Sequence, residues 1–286
     1  MRVRFSKMHG LGNDFMVMDL VSQQVHLDPQ LVARLGDRRT GVGFDQLLAV
    51  EPPTDPDADF FYRIYNNDGS EAQQCGNGAR CFAAFINANG LSVKQKLRLQ
   101  SIAGIITTTL REDGSVAVDM GVPSVEPADV PFATSATTTP PEPDDMAGPG
   151  QHISANGETY RVIPVSIGNP HAVLFVPSVT DADVERVGAA LTRHDAFPEG
   201  ANIGFCEVVD PGFMRLRVYE RGVGETRACG TGACAAVVAA QLAGHCEQRV
   251  KVSLTGGKTR IHWDGPGQSI TMTGPACLVY EGQITL

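Results

Sequence analysis

Residues 63–79 read Arg-Ile-Tyr-Asn-Asn-Asp-Gly-Ser-Glu-Ala-Gln-Gln-Cys-Gly-Asn-Gly-Ala, and residues 217–233 read Arg-Val-Tyr-Glu-Arg-Gly-Val-Gly-Glu-Thr-Arg-Ala-Cys-Gly-Thr-Gly-Ala. A constant offset of 154 lays Arg63, Tyr65, Glu71, Cys75, Gly76, Gly78 and Ala79 on Arg217, Tyr219, Glu225, Cys229, Gly230, Gly232 and Ala233. The match runs on to Gly90 and Gly244, each fifteen residues past its cysteine and each placed to end a helix. Nearly the same offset links Gly12-Asn13-Asp14-Phe15 to Gly168-Asn169-Pro170-His171, and Ala103-Gly104 to Gly256-Gly257. Matches in a fixed order mean an internal duplication, and so two lobes built on one plan.

Periodicity supplies the coarse elements. Alternating or β-branched runs at 2–7, 15–20, 96–110, 116–120, 161–167, 172–176, 215–219, 249–254 and 269–273 read as strands. Pro29–Gly36, with Asp28 as N-cap, and 182–191 read as helices, and two more follow the cysteine loops at 79–89 and 233–243. The last two are apolar around most of their circumference, as expected of a helix buried against a curved sheet. The expected class is therefore α+β, with two pseudo-symmetric lobes, each a curved mixed sheet wrapped round a central helix. The boundaries expected are 1–128 for the first lobe, joined by a returning strand at 275–286, and 129–274 for the second. Residues 134–150 are rich in Thr, Pro, Ala and Asp with no apolar period, and read as an exposed insertion.

A length of 286 residues with 42% hydrophobic content suffices for a packed core. The net charge of −9, with no clustered basic stretch, argues against nucleic acid as a partner. The longest apolar run, 233–243, is too short to span a bilayer. The N-terminus carries no secretion-like segment, so no membrane association and a cytoplasmic location are expected. Seven cysteines, an odd number with no Cys-x-x-Cys pair, point to free thiols and away from a disulfide framework or a structural zinc site.

Each duplicated cysteine precedes Gly-x-Gly and a helix. A helix N-terminus leaves backbone N–H groups without intrahelical partners and favours anions. Such a position also lowers a thiol's pKa. The loop thus offers a carboxylate cradle and an activated thiol. Two of them, facing each other across an interlobe cleft, would set sulfurs on opposite faces of one α-carbon. That arrangement suits removal of a proton from one face and its return to the other, with Cys75 and Cys229 as the acid/base pair. Cys81, Cys206, Cys234, Cys246 and Cys277 read as small core residues.

At these residues the chain resembles the diaminopimelate epimerase family. The resemblance covers nearly the whole sequence. It rests on His9-Gly10-Leu11-Gly12-Asn13-Asp14-Phe15, Tyr65-Asn66-Asn67-Asp68-Gly69-Ser70, Cys75-Gly76-Asn77-Gly78-Ala79-Arg80-Cys81, Gly168-Asn169-Pro170-His171, Tyr219-Glu220-Arg221-Gly222-Val223-Gly224-Glu225-Thr226 and Ala228-Cys229-Gly230-Thr231-Gly232. It implies interconversion of LL- and meso-diaminopimelate in lysine and peptidoglycan precursor biosynthesis. It also implies a homodimer and no cofactor, neither pyridoxal phosphate nor metal. Gly76, Asn77, Gly230 and Thr231 would hold the carboxylate at the reacting centre. Asn13, Gln46, Asn66, Asn169, Asn202, Glu220 and Arg221 would contact the rest of the substrate, Arg221 gripping the distal carboxylate and Glu220 the ammonium. His171 and Glu220 would adjust the protonation of the thiols. Phe44 stands where a smaller residue is usual, and the 134–150 insertion is absent from typical members. A proline or hydroxyproline racemase is the nearest rival, and a binding or thiol-redox protein the rival from another class. The Glu220-Arg221 pair and the many amides favour a substrate with a second charged end.

Overall fold

The structure, a computed structural model, describes residues 1–139 and 149–286. The chain falls into two compact units, Met1–Asp119 with Thr273–Leu286, and Met120–Met272.

In the first unit β1 (Arg2–Gly10) pairs antiparallel with β2 (Asn13–Asp19). The chain crosses through α1 (Pro29–Gly36) to β3 (Gln46–Glu51), which lies parallel to β2, and returns antiparallel as β4 (Phe60–Asn66). It crosses again through α2 (Gly76–Ala88) to β5 (Lys96–Ser101), parallel to β4. β6 (Gly104–Leu110) and β7 (Val116–Asp119) follow antiparallel. Parallel neighbours need a crossover, and each helix supplies one.

The second unit repeats the succession. After the hairpin of β8 (Gln151–Ala155) and β9 (Glu158–Ser166), β9 pairs antiparallel with β10 (Pro170–Phe175). α3 (Val184–Leu191) leads to β11 (Asn202–Asp210), parallel to β10, and β12 (Phe213–Glu220) returns antiparallel. A short β13 (Gly224–Thr226) and α4 (Gly230–Leu242) lead to β14 (Arg249–Leu254), parallel to β12, and β15 (Gly257–Trp263) closes antiparallel. β16 (Ile270–Gly274) carries the chain back to the first unit, where β17 (Cys277–Thr285) pairs with β1. Strand for strand, β1–β6 and β9–β12 with β14–β15 share one order and one set of directions.

The central helix of each unit is built to be covered. α2 packs on β1, β2, β3, β6 and β7, and α4 on β9, β10, β11, β12 and β15. From Gly232 to Ala240 every residue of α4 is buried, and each Val fully withdrawn from water contributes about 1.5–3 kcal/mol. Gly90 and Gly244 end the two helices with φ of +66° and +75°, the left-handed turn for which glycine is suited.

The repeated arginines and glutamates also find a role. Arg63 Nη1 meets Glu71 Oε1 at 2.7 Å. Arg217 grips Glu225 at both oxygens, at 2.7 and 2.8 Å. Each unit thus ties the strand before its cysteine loop to the loop itself.

Three helix starts differ from expectation. α2 and α4 begin at Gly76 and Gly230, three residues before 79 and 233, because each cysteine is itself the N-cap: Ala79 N donates to Cys75 O (2.9 Å) and Ala233 N to Cys229 O (3.0 Å). The glycines, poor helix formers, lie in the first turn and hide it from a propensity reading. α3 starts at Val184, because the Asp183 carboxylate accepts from Arg186 N and caps it there. Asp28 caps α1 as expected, accepting from Leu31 N at 2.8 Å. Of the 134–150 segment, Thr134–Ala136 forms one 3₁₀ turn, while 140–148 lie outside the described residues.

Candidate active site

Cys75 sits half-buried where β4 and its following loop meet α2. Its sulfur accepts from Gly78 N at 3.3 Å, closing the first turn as an N-cap serine would. The turn requires glycine at 78: a Cβ there would come within 2.3 Å of the Tyr62 hydroxyl, which itself donates to Cys75 O at 2.9 Å. On its other side the Cys75 thiol faces Asn13 Oδ1 at 3.7 Å, and Asn77 Nδ2 donates to the same oxygen at 3.4 Å. Gln46 and Asn66 form a second pair, Nε2 donating to Oδ1 at 3.0 Å, because they stand opposite each other in the β3–β4 register. Asn13, Gln46, Asn66, Cys75, Gly76 and Asn77 therefore divide into one cluster at the helix end and one amide pair on the adjoining strands. Phe44, the unusual residue before Asp45, is wholly buried in the core beneath α1.

Cys229 is built differently. It is 5% exposed, and its sulfur lies 3.6 Å from Thr231 Oγ1. Thr231 in turn accepts from Asn169 Nδ2 at 3.4 Å, and Asn169 Oδ1 meets His171 Nε2 at 3.1 Å. With the Asn169 amide turned so that its Nδ2 donates to Thr231, its Oδ1 is the acceptor facing His171 Nε2. Burial, reinforced by the Arg221 charge, lowers the His171 pKa to about 3, so the imidazole is neutral at working pH. Glu220 lies against Cys229, with Thr226 Oγ1 donating to Glu220 Oε1. Burial raises the Glu220 pKa, opposed by the hydrogen bonds from Thr226 and Cys229.

The general expectation that a helix end lowers a thiol pKa is overturned at Cys229. Burial first, and then the Glu220 charge, push this thiol well above its ordinary value, against the smaller pull of Thr231 and Gly232 N. A buried sulfur next to a carboxylate cannot ionise cheaply. The two remaining residues are tethered. Asn202 Oδ1 accepts from Arg221 N at 2.9 Å, and the Arg221 guanidinium, at the surface, donates to Glu199 O at 2.6 Å.

Residues that periodicity and motif spacing did not single out complete the two sites. Asp45 accepts from Asn13, Arg80 donates to Asn77, Tyr62 holds the Cys75 carbonyl and Thr226 holds Glu220. Arg80 and Thr226 lie within the motifs that carry the resemblance, and Arg80 also stands three residues past Asn77 on the same helix face.

The fold is shared with solved structures that include an epimerase and a phenazine biosynthesis protein. A hydroxyproline epimerase from Agrobacterium vitis superimposes with a TM-score of 0.69, 16% identity, and coverage of 100% of this chain and 93% of that one. A phenazine biosynthesis protein of the PhzF family from Bacillus anthracis gives 0.67 at 16% identity, with both chains covered in full. Within that architecture the chain belongs to the diaminopimelate epimerase family, whose model matches residues 5–126 and 163–279. The diaminopimelate epimerases of Pseudomonas paraeruginosa (strain DSM 24068 / PA7) and Pseudomonas aeruginosa (strain UCBPP-PA14) are each 54% identical over 286 residues, covering both chains completely. Those alignments run through the 134–150 segment that the family model omits.

Proposed function

We propose that the chain interconverts LL- and meso-2,6-diaminopimelate by two-base proton transfer at the α-carbon, with Cys75 and Cys229 as the bases, in lysine and peptidoglycan precursor biosynthesis. One observation carries this reading: each cysteine caps a 13-residue helix at the same point of a repeated topology. The α-hydrogen of an amino acid is very weakly acidic, so negative charge developing on the carboxylate side must be held by fixed donors. First-turn N–H groups at Gly76, Asn77, Gly230 and Thr231 are suited to that task. One thiol removes the proton, and the other delivers one to the opposite face.

The environment of Cys229 suits it to rest as the thiol. When it acts as base, Glu220 is placed to accept its proton, while the neutral His171 acts through Asn169 and Thr231 and not through charge. Asn13, Gln46, Asn66, Asn169, Asn202, Glu220 and Arg221 take the distal ammonium and carboxylate, for which Arg221 would have to exchange its hold on the Glu199 carbonyl for the substrate. The enzyme is proposed to work as a homodimer in the cytoplasm, checked by light scattering on the purified protein and by cell fractionation. No helix among the described residues is long and apolar enough to cross a membrane.

The test is incubation of LL-diaminopimelate with the purified chain in deuterium oxide without added cofactor. The meso isomer should form with deuterium at the inverted carbon. Turnover of proline with none of diaminopimelate, or inversion with no solvent deuterium incorporated, would remove the assignment.

A further inference from the structure

We infer that Asp45 is a positioning residue: it fixes the rotation of the Asn13 amide and so presents an oxygen, not an N–H, to the Cys75 sulfur. The inference deepens the reading of Cys75 as an acid/base residue and rests on it.

An amide's oxygen and nitrogen are nearly the same size, so its rotation is decided by the partners around it. Here both ends of the chain of partners are ions of fixed character. At one end Asp45 Oδ2, which only accepts, takes Asn13 Nδ2 at 3.0 Å. At the other, Arg80 Nη2, which only donates, meets Asn77 Oδ1 at 2.9 Å. Between them Asn77 Nδ2 donates to Asn13 Oδ1 at 3.4 Å, and the Cys75 thiol faces that oxygen at 3.7 Å. Turning the Asn13 amide over would set its oxygen against a carboxylate and its N–H against the N–H of Asn77. Both rotations are thereby locked from outside the site.

The two anchors are themselves held. Arg80 is fully buried and its Nε donates to Pro275 O at 3.2 Å. Asp45 Oδ1 receives Arg38 Nη2 at 2.7 Å, and Asp45 Oδ2 also accepts from Asp14 N at 3.1 Å. Arg38 grips Asp14 with two further bonds, at 2.7 and 3.0 Å. Lys7 reaches Asp14 from β1.

The consequence falls on the sulfur. A carbonyl oxygen accepts the S–H and favours the thiol, whereas an amide N–H in its place would favour the thiolate. Tyr62 from β4 and Cys81 from α2 are electrostatic neighbours of Cys75. Burial keeps the Tyr62 phenol neutral and pushes the Cys81 thiol up to about 12, so neither supplies a competing charge. The second unit has no such lock: β2 pairs Phe15 with Gln46 and β10 pairs His171 with Asn202, so Asp45 corresponds to Ala201.

The test reads the alkylation of Cys75 by iodoacetamide across pH, followed by peptide mass spectrometry in a Cys229→Ala background. Asp45→Ala frees Asn13 to turn its N–H toward the sulfur, and the reactivity profile should move to lower pH by about one unit, a tenfold change in reactive fraction. Asp45→Asn removes the charge but keeps an oxygen for Asn13 Nδ2 and Asp14 N, two donors that turn the new amide the same way, and should restore the parent profile. Equal movement in both variants, or none in Asp45→Ala, would overturn the inference. Should Asp45→Ala fail to fold, Arg38→Met decides: its side chain is 55% exposed, and loosening Asp45 should move the profile in the same direction. A Cys75→Ala protein that still epimerises would defeat the functional reading without altering these profiles, so the two failures are separable.

Discussion

The two cysteine loops share a sequence, a helix length and a place in the topology, yet their sulfurs live in different chemistry. Cys75 is half-buried, bonded to its own helix end and faced by an amide oxygen. Cys229 is buried beside a carboxylate, with a hydroxyl where Cys75 has Asn77. The offset of 154 explains how this arose: Glu220 stands where the first half has Asn66, Thr231 where it has Asn77, and Cys234 where it has Arg80. The backbone plan repeats while the polar partners diverge. A substrate carbon is itself unsymmetrical, with hydrogen on one face and none on the other, so two identical bases would not be required.

The largest expected effect tests what the loops have in common. Cys75→Ala and Cys229→Ala should each lower epimerisation by about 10²–10⁴-fold, the usual range for a positioned acid or base. Circular dichroism should show the fold intact, because neither sulfur is a large part of the core. Near-normal turnover in either variant would mean that one loop is a structural relic of the duplication.

The next effect tests where they differ. In Glu220→Gln the Cys229 sulfur loses a neighbouring negative charge, so its alkylation profile should shift to lower pH while Cys75 stays where it was. Activity should fall about tenfold, as for a shift of one pKa unit. A shift at both cysteines, or at neither, would dissolve the contrast between the loops.

What the two halves share was legible in the sequence, and the contrast between their sulfurs was not. The cysteine loops, the Asp28 cap and the glycines at 90 and 244 are local signals with local causes, and they stand where spacing put them. The strands Gln46–Glu51 and Asn202–Asp210 escaped periodicity because the first is buried almost throughout and the second over its first half. A strand covered on both faces loses the alternation that betrays it. Asp45 and Thr226 escaped for another reason. Their partners are set by strand register, and no spacing rule connects Asn13 to Asp45 or Thr226 to Glu220. Arg217 and Glu225 were readable as a repeat, but only the folded β12–β13 pairing shows them as an ion pair.

A smaller effect concerns pH. The register that aligns Phe15 with His171 gives the second unit a titratable core residue where the first has a phenylalanine. His171 has a folded pKa of about 3 against an unfolded value near 6.5. Below the unfolded value the unfolded chain binds the extra proton, so the contribution is fully present above pH 6.5 and is lost as pH falls toward 3. The slope is at most about 1.4 kcal/mol per pH unit. His171→Gln should flatten that part of a denaturation series taken between these limits. An unchanged slope would mean that His171 gains a partner on protonation and is not held neutral.

The smallest effect concerns the scaffold that the two halves still share. Arg63–Glu71 and Arg217–Glu225 are both partly shielded, at 28% and 34% side-chain exposure in the first and 23% and 21% in the second. Exposed pairs are worth about 0.2–1 kcal/mol, and two-point contacts with arginine are stronger. Arg217 makes the two-point contact and also donates to the carbonyls of Val179 and Ala182. Arg63 divides itself between Glu71 and Glu51, with its guanidinium 4.5 Å over the Phe61 ring. Double-mutant cycles should therefore give a coupling near 1 kcal/mol for Arg217–Glu225 and a lesser one for Arg63–Glu71, read from urea denaturation. The reverse order would show that Glu51 and Phe61 strengthen the first pair instead of diluting it, and the divergence between the halves would then extend from the sulfurs into the frame that holds them.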